Sequence, residues 1–370
     1  MSRVFHYSPA IIQNDAIGYS ISVLHYWMIK RQIESFLVCD IGRQHDSPRF
    51  TLSFNELIAK KLTSSDILFF HYAFLDQNAD RIMSIPCKKI LVYHNITPSH
   101  FFREVGQDFL ADCCDQGREY LGRIKGCFEA AIGDSAYNAA ELSAFGHFEP
   151  QVIPVFYNNR FFSDGYSDNE AFLERRLAGE VGIAFIGRYV PNKRLDNLIR
   201  IAAVLKDCCD LPVRLRLHGK VWDREYFISL RHLAEELGVE QNISFELNQP
   251  QSILRTSLAS ATAFVSASEH EGFMVPLVEA FSAGCPVVAL ASSAVTETCG
   301  SAGCLVRNPD VEEIAGHIAL VHQDRDLRAE LIRNQSKRAD YFSEQRTLGK
   351  WDILLRNFLD RPLVDHAHRI

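Results

Sequence analysis

A chain of 370 residues, 47% of them hydrophobic, is long enough for two domains with separate cores. Its formal net charge of -7 argues against a nucleic-acid binder, which would present a basic face. No apolar run is long enough to span a bilayer, and the opening MSRVFHY lacks the charged-then-apolar pattern of a secretory signal. The expected location is therefore cytoplasmic, with peripheral contact at the inner face of the membrane as an extension of that expectation.

Apolar, β-branched runs alternate with amphipathic stretches almost from end to end. In the first half, strands are predicted over 4–7, 36–39, 66–71, 89–93, 130–133 and 151–155, with helices over 19–32 and 108–125 among them. Strand–helix alternation implies a parallel sheet covered on both faces. Asn14-Asp-Ala-Ile-Gly18 follows the first strand and opens a helix. Gly18 there would let the backbone approach a phosphate; a plain loop with Asp15 as helix cap explains it equally well. His94 closes the strand over 89–93, where α/β sheets bind ligands, although a lone histidine is also a common structural residue. The helix over 19–32, with Tyr26, Trp27 and Lys30, reads as core-facing first and as a membrane-contacting surface second.

The apolar pattern breaks over 161–180, which carries SDGYSDN and a charged ERR, and a domain boundary is expected there. Alternation then resumes. Strands are predicted over 181–186, 213–218, 242–245, 261–267 and 286–289, and helices over 195–207, 224–237, 276–283, 311–322 and 326–341.

Two segments of this half carry chemistry. In VGIAFIGRYVPNKRL, a strand ends at Gly187, and Arg188 and Lys193 bracket a Pro-Asn turn before a helix. An arginine fork and a lysine point charge suit phosphate oxygens; two solvated surface cations are the alternative reading. In ATAFVSASEHEGFMVPLVEAFSAGCPVVAL, a strand runs into a polar loop and then a helix, with Pro276 expected at its first position and Gly284 beyond its end. The N–H groups of Gly272, Phe273, Met274 and Val275 would point at an anion, aided by the helix dipole. Glu271 before the helix and Glu279, expected in its first turn, cannot bind phosphate, so sugar and ribose hydroxyls are their expected partners. The alternative is that both merely favour the helix N-terminus.

Glu271-Gly-Phe, Pro276, Glu279-Ala280 and Gly284-Cys-Pro286-Val-Val together resemble the E-x7-E signature of the retaining glycosyltransferases of family 4. The Gly187-Arg188 and Lys193 segment resembles the same family, with Arg194 in place of its glycine, and Met274 stands where the family has a small residue, often glycine. The resemblance implies the GT-B fold: two Rossmann-like doubly wound parallel-sheet domains of the α/β class facing a central cleft. It implies an acceptor-binding domain over 1–165, a donor-binding domain over 175–345, and a terminal helix over about 346–370 packing back on the first. By the same resemblance Glu271 contacts the transferred sugar, Glu279 the ribose, Arg188 and Lys193 the diphosphate, and His94 the sugar-binding cleft.

The implied partners are an NDP-sugar co-substrate and a glycan or lipid-linked oligosaccharide acceptor, without nucleic acid, in cell-surface polysaccharide synthesis. The expected chemistry is transfer with retention of configuration. No metal or other cofactor is expected, because Asp324-Arg-Asp326 sits between two predicted helices and reads as surface. Ten cysteines without CxxC spacing are expected to be reduced thiols, with no zinc site. Two rival readings stay open: a non-catalytic sugar-nucleotide-binding protein and a GT-B nucleotide-sugar epimerase.

Overall fold

The computed structural model describes residues 2–12, 15–41, 50–158 and 179–359. The chain divides into two compact units, Met1–His100 with Asp108–Tyr157 and Phe342–Ile370, and Phe101–Gln107 with Asn158–Tyr341. Asn14, most of the expected boundary segment and the end of the expected terminal helix lie outside the described residues.

In the first unit the order is β1 (Val4–Tyr7), α1 (Ala16–Lys30), β2 (Ser35–Val38), β3 (Thr51–Leu52), α2 (Phe54–Ala59), β4 (Ile67–Tyr72), α3 (Ala79–Met83), β5 (Lys88–Tyr93), α4 (Asp108–Arg123), β6 (Ala130–Gly133), α5 (Ala136–Ala144) and β7 (Gln151–Val152). The sheet runs β3-β2-β1-β4-β5-β6-β7, and every pairing is parallel. β1, β2 and β4 are buried along their whole length, which is why their sequences read as continuous apolar runs instead of alternating ones. Asp15 starts α1 three residues earlier than expected, because its carboxylate accepts the N–H groups of Ile17 and Gly18.

The second unit contains β8 (Val181–Ile186), α6 (Leu195–Asp207), β9 (Val213–Gly219), α7 (Arg224–Glu236), β10 (Ile243–Leu247), α8 (Gln251–Ser260), β11 (Ala263–Ser266), α9 (Val275–Ser282), β12 (Val287–Leu290), α10 (Ser293–Cys299), β13 (Cys304–Val306), α11 (Val311–Gln323) and α12 (Arg325–Tyr341). Its parallel sheet runs β10-β9-β8-β11-β12-β13. Asp324 accepts the N–H groups of Asp326 and Leu327, so this acidic pair serves the start of α12.

A last helix, α13 (Glu344–Arg356), belongs to the first unit. Its Trp351, Leu354 and Leu355 join Val4, Phe69 and Ile90 in one core cluster, with Trp351 edge-on to Phe69 at 5.6 Å. In both sheets the unit's first strand is central: the chain winds outward to one side and then resumes on the other. That reversal lies between β1 and β4 and between β8 and β11, and such switch points are where doubly wound sheets open a crevice for ligands. All ten cysteines are free thiols, five of them buried.

Candidate functional site

The loops after β8 and β11 leave the second sheet at its switch point, and they carry most of the residues singled out in the sequence. Lys193 comes from the first loop and Glu271 from the second. Their side chains meet in an ion pair, Nζ to Oε2 at 2.5 Å, with only 15% and 9% of each side chain exposed. Around them the two loops are knitted together. Asn192, buried, donates its side-chain amide to the His270 carbonyl, and its own carbonyl accepts the Glu269 N–H.

Arg194, which stands in place of the resembled family's glycine, is committed to two carboxylates. Its guanidinium is bound by both oxygens of Asp196 at 3.1 Å and by Glu269 at 2.6 Å. Its φ of 49° lies in the left-handed region, where glycine is most at ease, and this accounts for the glycine that the resembled family carries there.

Arg188 is different. It is exposed, it has no carboxylate partner among the described residues, and its guanidinium lies 5.5 Å from the ring of Trp222, which follows β9. Gly219 at the end of β9 is there for space: a Cβ would come within 1.8 Å of the Gly187 carbonyl oxygen.

The Glu271 loop is also held from its other side by three hydroxyls. Ser292 donates to the Ser268 carbonyl at 2.5 Å, Ser293 accepts the Glu271 N–H at 2.7 Å, and Thr298 donates to the Phe273 carbonyl at 2.6 Å. Ser293 does this with a φ of 38°, a strained value for a non-glycine residue. None of these hydroxyls stands out in the sequence, where a lone serine or threonine carries no spacing signal. Ser293→Ala is expected to cost roughly 1–3 kcal/mol by leaving the Glu271 N–H without its acceptor. Chemical denaturation would read that loss, and an unchanged midpoint would show that the hydroxyl does not hold the loop.

α9 begins at Val275, so Pro276 is its second residue and Glu279 lies beyond the first turn. Met274 caps the helix in the left-handed conformation, φ 78°, and no side chain caps it. Its side chain is buried in a core cluster with Ala184, Leu277 and Phe281. The N–H groups of Met274 and Val275 have no acceptor among the described residues, as an anion site requires. Gly272 is partly exposed between them and Glu271, and Phe273 is buried. Glu279 is partly exposed, has no side-chain partner among the described residues, and is pushed up to about 7 by burial of its carboxyl group.

Gly18 and His94 belong to the first unit. Gly18 sits inside α1 with its N–H turned to Asp15, and a Cβ there would come within 2.1 Å of the Ile12 carbonyl oxygen. Close packing of backbone on backbone thus explains the glycine. His94 is 3% exposed at its side chain, and both ring nitrogens are engaged: Nδ1 with Asp134 at 2.8 Å and Nε2 with His71 at 3.0 Å. The contact with a sugar hydroxyl expected of it would require one of those bonds to break. Among the described residues, no three His, Cys, Asp or Glu side chains are grouped to hold a metal ion, and no helix is long and apolar enough to cross a membrane.

The two units, each a doubly wound parallel sheet, have the architecture of GT-B glycosyltransferase structures. Residues 171–338, which include the whole Lys193–Glu271 site, match the model for glycosyl transferases group 1. HepE of Anabaena, solved in complex with UDP and glucose, superposes with a TM-score of 0.76 at 15% identity, covering 96% of this chain and 100% of that one. In sequence, the chain is 30% identical over 154 residues to O-antigen chain mannosyltransferase B of Escherichia coli, covering 41% of this chain and 40% of that protein. It is also 30% identical over 297 residues to an exopolysaccharide phosphotransferase of Streptomyces coelicolor, covering 77% of this chain and 28% of that protein. The matched stretches thus span less than half of either relative's length.

Proposed function

We propose that this protein is a retaining, metal-independent glycosyltransferase that moves a hexose from an NDP-sugar to a hydroxyl of a glycan or lipid-linked acceptor in polysaccharide synthesis. The observation that carries the reading is the Lys193–Glu271 pair at the switch point, with Arg188, which has no carboxylate partner among the described residues, and the open N-terminus of α9. An ammonium has three donors, and one is committed to Glu271, so two remain for diphosphate oxygens. Glu271 keeps its second oxygen for a sugar hydroxyl. The pair thus joins the group that stabilises the leaving diphosphate to the group that orients the sugar.

Charge growing on the diphosphate in the transition state meets Arg188, Lys193 and the N–H groups of Met274 and Val275, which do the work a metal ion does elsewhere. The acceptor hydroxyl attacks the anomeric carbon on the face from which the diphosphate departs, and its proton passes to the leaving phosphate oxygen. Glu271 is tied to Lys193 and serves as a hydroxyl acceptor, so no covalent glycosyl-enzyme is invoked. His94 is left out of the sugar contacts because both its ring nitrogens are engaged.

Glu279 gives this reading a pH signature. Its folded value, about 7, lies above the ordinary 4.5, so the fold favours the neutral acid. That contribution is complete below pH 4.5 and is lost as the pH rises through about 7. A ribose diol donating to the carboxylate favours the charged form instead. NDP-sugar affinity is therefore expected to tighten as the pH rises through 7, and Glu279→Gln should flatten that dependence. Calorimetric titration with an NDP-sugar, whose diphosphate does not itself titrate there, reads both. Affinity independent of pH in the parent chain would remove Glu279 from the ribose site.

The function itself is tested by a thermal-shift screen against GDP-, UDP-, ADP- and dTDP-hexoses, followed by NMR of the product made from the donor that binds. The expected result is one stabilising donor, transfer with the anomeric configuration retained, and loss of slow donor hydrolysis in Glu271→Ala. An inverted product would exclude the retaining mechanism. A new sugar nucleotide formed without acceptor would make the protein an epimerase, and binding without turnover would make it a sugar-nucleotide-binding protein.

A further inference from the structure

Three histidines and an aspartate that the donor site does not use form one hydrogen-bonded line through the first unit's sheet. His6 stands on β1, His71 on β4, His94 just after β5 and Asp134 just after β6, four successive neighbours in the strand order. His6 Nδ1 lies 3.3 Å from His71 Nε2, His71 Nδ1 lies 3.0 Å from His94 Nε2, and His94 Nδ1 lies 2.8 Å from Asp134 Oδ2. All four side chains are at least nine-tenths buried, and His6 Nε2 ends the line with no partner among the described residues.

A neutral imidazole carries one N–H and one lone pair, so neighbours in such a line dictate one another's tautomers. With Asp134 ionised, His94 must donate from Nδ1. Its Nε2 is then an acceptor, His71 must donate from Nδ1, and His6 must do the same. One arrangement satisfies every bond, and it leaves a lone pair on His6 Nε2. With Asp134 protonated, the order reverses: the acid donates to His94, each histidine donates from Nε2 to the next, and His6 Nε2 carries the last N–H.

We infer that His6, His71, His94 and Asp134 act as a single site that binds one proton. The balance is one proton gained. His6 takes it at Nε2 and passes its Nδ1 proton to His71, which passes its own to His94. His94 passes its own to Asp134, which ends as the neutral acid while all three imidazoles remain neutral. Burial works to the same end, because it disfavours an imidazolium at His6 and His71 and a carboxylate at Asp134. Among the described residues, the electrostatic influences on His6, His71 and Asp134 come from one another, from His94 and from His25 of α1, whose Nδ1 is hydrogen-bonded to Ser35 of β2. Phe69 stacks on His6 at 4.9 Å. The cavity beside His71, His94 and Asp134 is otherwise walled by uncharged groups, among them Ser20 and Leu24 of α1, Phe156 after β7, and Trp351 of α13. Proton uptake therefore removes one negative charge from the carboxyl ends of β5 and β6, and an anion bound there would meet a less repulsive edge at lower pH.

The test uses the full chain labelled with 15N-histidine and needs no donor. Long-range 1H–15N correlation spectra report each tautomer across a titration between about pH 5 and 8. Expected are three Nδ1–H rings at the alkaline end, three Nε2–H rings at the acid end, one shared midpoint and no imidazolium among the three. Asp134→Asn, close in shape, should hold a single tautomer set throughout. His71→Asn should uncouple His6 from His94, so that the two change at separate midpoints. An imidazolium at any of the three positions, unlinked midpoints in the parent chain, no tautomer change at all, or a switch that survives Asp134→Asn would each overturn the inference.

Discussion

Alanine at position 188 is expected to cut donor turnover by about a hundred- to a thousandfold, the usual cost of losing one preorganised donor to developing charge, while leaving the melting temperature nearly unchanged. The two halves of that expectation have separate grounds. Arg188 is exposed and has no carboxylate partner among the described residues, and its contact with the Trp222 ring is of a kind worth about 0.5–1 kcal/mol at an exposed site. Little of the fold rests on it. Its guanidinium is nevertheless a cation that no carboxylate among the described residues neutralises, which leaves it for the diphosphate. Arg188→Lys should fall between the parent and the alanine variant, because the charge is kept and the two-pronged geometry is lost. Full turnover in Arg188→Ala would remove the arginine from the reaction.

Lys193→Ala should behave differently, losing stability and activity together. Lys193 and Glu271 are both largely buried, so removing the lysine strands a carboxylate where water reaches it poorly. Breaking such a pair from one side costs about 3–5 kcal/mol, against a whole-domain stability of about 5–15 kcal/mol. The double variant Lys193→Met with Glu271→Gln separates the two roles, because replacing both charges removes the penalty of an unpaired ion but restores neither the diphosphate contact nor the carboxylate. Recovered stability without recovered turnover is the expected outcome, measured by denaturant titration and by donor hydrolysis. Recovered turnover would mean that the pair only holds the loops together.

The fold was legible where burial leaves a mark on sequence. β1 and β8 are read residue for residue, because strands covered on both faces are unbroken apolar runs, and α6 because its apolar stripe is regular. β3, with two residues, and β13, with three, are too short to leave a pattern. α8 and α10, with ten and seven residues, are not among the predicted helices. Within the site, Lys193 and Glu271 were legible as types in a context, but their ion pair was not, because 77 intervening positions separate partners that only the sheet order brings together. The same holds for Arg194, whose carboxylate neighbours and left-handed backbone become visible together only in three dimensions. His94 shows the limit most plainly. Its place at a strand end suggested a ligand contact, whereas His71 and Asp134, on neighbouring strands, already occupy both its nitrogens.

The helix Glu344–Arg356 also sets an order on synthesis. Its Trp351, Leu354 and Leu355 complete a core that also holds Val4, so the first unit stays open on one side until this helix has left the ribosome. The second unit has all its strands before then. Of the two units, the one begun first is thus the last to close, and a ribosome stalled after Tyr341 would hold a finished second unit joined to a first unit with a bare apolar face.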